Sequence, residues 1–106
     1  MGRVIVAGYR PKPGFDCELE KLVRSHHSTL LAEGLATDRP SLILRSKNGT
    51  LIEIYEVTKS YTKENTARNP RVTGLWRLMD DICTYVPPGR LEEMQNLFPE
   101  FPNISE

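Results

Sequence analysis

Two histidines, His26 and His27, stand side by side in a stretch whose apolar residues recur at Leu19, Leu22, Val23, Leu30 and Leu31. Steps of three and four mark one face of a helix. Continuing that face turns position 26 inward, while 27 lies about 100° further round, toward solvent or the flank. An imidazole changes charge near neutral pH, so an inward His26 is a candidate general base or a holder of a substrate hydroxyl. The plainer reading is a core histidine bonded to a backbone carbonyl or to Tyr55. A second candidate group lies in the run LIEIYEVT, where period two puts Leu51, Glu53, Tyr55 and Val57 on one face. A carboxylate among apolar neighbours can relay a proton and a phenol can orient a substrate oxygen. Glu53 could equally pair with Arg45 or Arg3, and Tyr55 could be a core aromatic. Trp76, the one tryptophan, and Met79 share the apolar face of a later helix, where an indole can wall a flat ring or simply fill the core. Tyr9 and Tyr85 are weaker candidates of the same kind.

Other chemistries find less support. Adjacent histidines on a helix point apart and no HxxxH or Cys pair backs them, so no metal site is expected. Cys17 and Cys83 form no CxxC and have no basic cluster nearby, so neither reads as a nucleophile. No phosphate-binding glycine loop, dinucleotide fingerprint or nucleophile elbow is present, and no cofactor is expected.

The 106 residues fit one domain, residues 1–106. Fourteen basic residues balance fourteen acidic ones, which lacks the electrostatic footprint of a nucleic-acid binder. No apolar run nears the roughly 20 residues of a membrane span. Met1 to Tyr9 is too soon interrupted by charge for a signal peptide, and two cysteines make no disulfide framework; a cytoplasmic location is the expectation.

The elements that must position these side chains follow from pattern. Arg3 to Arg10 reads as a strand stopped by Pro11, Pro13 and Gly14; its run Val4, Ile5, Val6 suggests burial on both faces. Phe15 to Glu33 is an amphipathic helix with Asp16 and Glu18 in its first turn and Gly34 at its end. Ser41 to Ser46 and Leu51 to Thr58 flank Asn48-Gly49, an antiparallel hairpin with a type I′ turn. Ser60 caps a short helix to about Arg68, and Asn69-Pro70 opens another whose apolar face runs Val72, Leu75, Trp76, Met79, Ile82, Cys83, Val86. Gly74 within it suggests close packing on a neighbour. Arg90 to Phe98 reads as a short third helix, and Phe101 to Ile104 as a short edge strand. The order is βαββα(α)β, a ferredoxin-like α+β fold with an antiparallel sheet. Both helices cover one face; the apolar side chains on the other call for a second copy of the chain.

The stretch Leu51 to Trp76, with Glu53, Tyr55, Glu56, Asn69, Pro70, Val72 and Trp76, resembles the central signature of the antibiotic-biosynthesis-monooxygenase-like proteins. The resemblance implies a dimeric α+β barrel in which two such sheets pack face to face and each subunit holds a pocket between sheet and helices. It implies a superfamily that includes cofactor-independent monooxygenases, haem-degrading enzymes and lactone isomerases. Where many members carry a helical His, this chain has Thr66, so a mechanism resting on that His does not transfer. The first strand also lacks the Asn of the haem-degrading branch.

The expectation is therefore a cytoplasmic homodimer binding a small hydrophobic or aromatic molecule. As an enzyme it would be a cofactor-independent monooxygenase or a proton-transfer catalyst. His26 would be the base, Tyr55 would orient the substrate, Glu53 would relay the proton, and Trp76, Tyr9 and Met79 would wall the ring. The alternative is a non-catalytic dimeric barrel in which the same residues merely pack.

Overall fold

A computed structural model describes residues 2–105. The apolar run near the start forms β1 (Arg3–Pro11), and the turn beyond it leads into α1 (Asp16–Ala32). Gly34, at φ 74°, closes α1: Leu35 N donates back to Leu30 O at 2.8 Å, a left-handed ending that a side chain would resist. β2 (Leu42–Arg45) and β3 (Leu51–Val57) follow as a hairpin. The short α2 (Lys63–Arg68) comes next, then α3 (Pro70–Ile82) and β4 (Cys83–Tyr85).

The sheet order is β2-β3-β1-β4, with all neighbours antiparallel. This α+β arrangement is compatible with a ferredoxin-like fold. Register sets the faces. Ile5, Ala7 and Tyr9 of β1 share a side with Leu51, Glu53, Tyr55 and Val57 of β3 and with Ile43 of β2. On that side Tyr9, Ile43 and Leu51 pack with Leu19 and Val23 of α1 and Met79 and Ile82 of α3. A second cluster joins Tyr55 and Val57 to Leu30 and Val72. Trp76 packs against both. Burying each such aliphatic side chain contributes about 1.5–3 kcal/mol, so these two clusters hold the helices to the sheet.

Several expectations need revision. The fourth strand is Cys83–Tyr85, not Phe101 to Ile104: α3 stops at Ile82, and Cys83 leaves the helix in an extended conformation (φ −141°, ψ 165°) to pair with Pro11. The residues expected to form a third helix make two 3-10 turns, Pro88–Arg90 and Glu92–Gln95. The C-terminal stretch still reaches the sheet, through a bridge between Asn103 and Leu44 on the β2 edge. Arg45 N donates to Pro102 O and Ile104 N to Ile43 O there. At the hairpin only Gly49 has positive φ, 88°, and its N–H donates to Ser46 O. The loop is thus a three-residue turn ending in a left-handed glycine rather than type I′. Thr62, not Ser60, caps α2, accepting from Asn65 N at 3.1 Å. Asn69 caps α3 as expected, with Oδ1 accepting from the N–H groups of Arg71 and Val72. Gly74 is exposed, and a Cβ there would meet nothing within 4 Å, so it marks no close packing. β1 is not buried on both faces either: Val4 and Val6, on the side away from the helices, are 60% and 49% exposed.

Candidate active site

A chain of hydrogen bonds lies between the sheet and the helices. Glu53 projects inward from the middle of β3 and is fully buried, and His26 on α1 is 2% exposed. His26 Nδ1 meets Glu53 Oε1 at 2.8 Å. From β1, Tyr9 donates its hydroxyl to the same oxygen at 2.8 Å. From α3, Trp76 donates Nε1–H to His26 Nε2 at 2.9 Å. The four residues come from four elements, and the stripe of α1 together with the period of β3 aims two of them at each other.

These contacts fix the proton positions. An indole N–H can only donate, so His26 Nε2 is the acceptor and the ring carries its proton on Nδ1. That proton points at Glu53. The bond from Trp76 exists only with a neutral ring, because an imidazolium has no free lone pair. Glu53 Oε1 thus receives two donors, while Oε2 is buried without a partner among the described residues. An unsatisfied buried carboxylate oxygen costs on the order of 1–3 kcal/mol or more, which the two bonds to Oε1 have to offset.

Beside this chain lies a cavity of about 260 Å³, bounded by Tyr9, His26, Tyr55, Trp76 and Met79, with Tyr61, Asp80 and Tyr85 also on its wall. Its size is just below the roughly 300–1,000 Å³ typical of small-molecule sites, and suits a ligand of one or two rings. Burial, followed by the Glu53 charge, pushes the Tyr9 phenol far above its ordinary range. Burial, followed by the Tyr61 hydroxyl 3.4 Å away, does the same to Tyr55. Both phenols are therefore donors, not bases, at any physiological pH. Tyr85 donates to Asp80 and packs edge-on against Tyr9, with ring centroids 5.8 Å apart.

The six residues given roles from the sequence meet here; His26 and Glu53 have partners other than those of their plainer readings, while Tyr55, Trp76 and Met79 also belong to the apolar clusters. His26 bonds to Glu53 and Trp76 rather than to a backbone carbonyl, and it meets Tyr55 ring to ring at 5.2 Å. Glu53 pairs with neither Arg45 nor Arg3: Arg45 reaches Glu20, and Arg3 donates to Tyr61 O. His27 is set apart, bonded to Thr37 O at 2.8 Å. Tyr61 and Asp80 had not been anticipated. Neither lies on a periodic apolar face, and only the folded loop after β3 brings Tyr61 over Tyr55. Among the described residues, no three His, Cys, Asp or Glu side chains are grouped so as to hold a metal ion. Among the same residues, no helix is long and apolar enough to cross a membrane. Comparison of the chain with protein-family models, with curated proteins and with solved structures returns no significant match.

Proposed function

We propose that this protein binds a small hydrophobic or aromatic molecule between sheet and helices and moves a proton on it with a His26–Glu53 dyad. The observation that carries the reading is the 2.8 Å bond from His26 Nδ1 to a fully buried carboxylate, beside a mostly aromatic cavity. Glu53 fixes the tautomer that leaves Nε2 basic, and its charge stabilises the imidazolium formed when Nε2 takes a proton. Trp76 donates to Nε2, so a substrate has to displace the indole N–H to reach the base. Tyr55, held protonated, supplies a hydroxyl donor on the cavity wall, while the Tyr9 hydroxyl is committed to Glu53. Deprotonating a hydroxy-aromatic gives an electron-rich anion that can react with dioxygen without a cofactor. This is the chemistry expected of a monooxygenase of the family whose signature Leu51 to Trp76 resembles. Delivery of that proton from the His26 imidazolium to a ring carbon, O–H broken and C–H formed, would make the same dyad an enol–keto isomerase.

The reading includes a homodimer. Val4, Val6 and Leu42 leave apolar surface on the sheet face away from the helices, where a second sheet would cover them. Light scattering should give twice the mass of one chain, and Val6→Asp should return it to one. A single-chain mass for the unaltered protein would refute the dimer.

Solvent-deuterium uptake, followed by NMR across a panel of hydroxy-aromatics, tests the dyad. At least one compound should exchange with the protein and not with His26→Ala, while the variant keeps its mass and circular dichroism. Exchange at equal rates would remove His26 from the reaction. A second reading, a non-catalytic barrel, draws on the Trp76 bond that already satisfies Nε2. It predicts no exchange with any compound and a large loss of stability in His26→Ala.

A further inference from the structure

A second hollow, about 680 Å³ and open to solvent, adjoins the aromatic cavity: Tyr61 and Trp76 line both. Its remaining wall is strongly one-signed. Arg3, Lys59 and Lys63 contribute three cations, Thr62 and Thr66 add hydroxyls, and no carboxylate lines it. Among the described residues none of the three cations takes part in an ion pair; the arginines that do pair lie elsewhere, Arg24 and Arg45 with Glu20, Arg39 with Glu56, Arg71 with Glu33. In a chain of zero formal net charge, such a grouping is a local field rather than a global excess. Arg3 is also held in place. Its Nη2 donates to Tyr61 O at 2.7 Å, which leaves the rest of its guanidinium donors for a ligand and ties the cationic wall to the residue shared by both hollows.

We infer that the molecule taken by the aromatic cavity bears a carboxylate, which rests against Arg3, Lys59 and Lys63 while its ring lies beside Trp76 and His26. The inference rests on the reading of the cavity as a small-molecule site and adds the chemical class of the ligand. The ring alone offers dispersion and burial, which select by size. The three cations select by charge and orient the molecule, so its acidic end stays at the open hollow and its other end meets the dyad. A carboxylate is also the group a guanidinium recognises by two parallel hydrogen bonds.

The single tryptophan lies between the two hollows and gives the readout. Trp76 emission is titrated with 3-phenylpropanoate and with its neutral counterpart 3-phenylpropanamide, at low and at high salt. The carboxylate should bind at least about tenfold more tightly than the amide at low salt, the size of one good charge-assisted contact. Salt should shrink that preference. Arg3→Gln/Lys59→Gln/Lys63→Gln, three exposed positions, should abolish the preference and leave the amide affinity unchanged. Equal affinities of the two probes in the unaltered protein would overturn the carboxylate inference and leave the aromatic cavity standing. A preference that survives in the triple variant would also overturn it. Binding of neither probe would refute the cavity itself, and the inference with it.

Discussion

Replacing Tyr9 by Phe removes one oxygen atom from the most buried polar contact between β1 and β3. The ring stays among Leu19, Val23 and Met79, so packing is preserved and the change isolates the hydroxyl. That hydroxyl donates to the Glu53 carboxylate at 2.8 Å, and hydrogen bonds to charged groups contribute about 1.5–3 kcal/mol. Tyr9→Phe should therefore cost about 2 kcal/mol, or a Tm drop on the order of 10 °C for a chain this size. Two other tyrosines calibrate the number. Tyr55→Phe loses only a neutral contact at 3.4 Å, about 0.5 kcal/mol. Tyr85→Phe loses its bond to Asp80 from a half-exposed side chain, about 0–1 kcal/mol after solvent screening. The pH dependence separates the cause further. Burial and then the Glu53 charge raise the Tyr9 phenol above its ordinary value of 10.0, so its contribution is complete below about pH 10. Above that the unfolded chain releases the proton and the folded one does not, and stability falls by up to about 1.4 kcal/mol per pH unit. Tyr9→Phe lacks that loss, so the gap between the two proteins should narrow at that rate above pH 10; lysine and arginine titrate alike in both and cancel. Urea unfolding at neutral and at alkaline pH measures both quantities, with the denaturant slope unchanged. A neutral-pH gap below about 0.5 kcal/mol would refute the buried charge-assisted bond, as would a gap that stays constant above pH 10.

Nitrogen-detected NMR should find the His26 ring protonated at Nδ1 and bare at Nε2; the opposite tautomer would contradict the bond from Trp76. Gly74→Ala should raise stability by about 0.5–1 kcal/mol in a thermal melt, since the position is exposed, helical and free of neighbours within 4 Å; a loss would show that something packs there in solution. Glu93 accepts from Lys47 N and Ser46 Oγ, and the Lys47 amide holds its carboxyl below the ordinary range. Glu93→Gln should thus melt lower than the parent near neutral pH, and the two should converge as pH falls below about 4. A gap independent of pH would mean that the carboxylate charge has no part in holding the segment.

Much of the scaffold was legible because it is periodic. The α1 stripe gave both the helix and the inward direction of His26, and period two in β3 put Glu53 and Tyr55 on one face. What pattern could not supply was register. Tyr9 reaches Glu53 because Ala7, not Tyr9, stands opposite it, so the phenol lies one pleat diagonally away. No spacing within β1 records that. β4 was missed for a related reason. Ile82, Cys83 and Val86 continue a three-four spacing, but three residues paired to β1 gain more from the sheet than from prolonging a helix toward Pro87 and Pro88. The segment after β4 has helical spacing at Leu91, Met94, Leu97 and Phe98, yet Leu97 and Phe98 are 87% and 82% exposed. A helix that short needs a buried apolar face to persist, and of the apolar residues there only Leu91 is buried.

The bridge from Asn103 to Leu44 also bears on how this chain avoids itself. β2 is the outer strand on its side, and its short run Leu-Ile-Leu joins high strand propensity to an unpaired backbone edge, which would template the edge of another molecule. The C-terminal stretch occupies that edge with its own carbonyl and amide groups, and Ser105 Oγ accepts from Ile43 N at 2.8 Å. Arg24 of α1 fastens the stretch from below through the carbonyls of Ile104 and Ser105. Residues 102–105 therefore act as a stopper against strand-to-strand growth. Their detachment would convert a sheet edge that ends within the molecule into one open to aggregation.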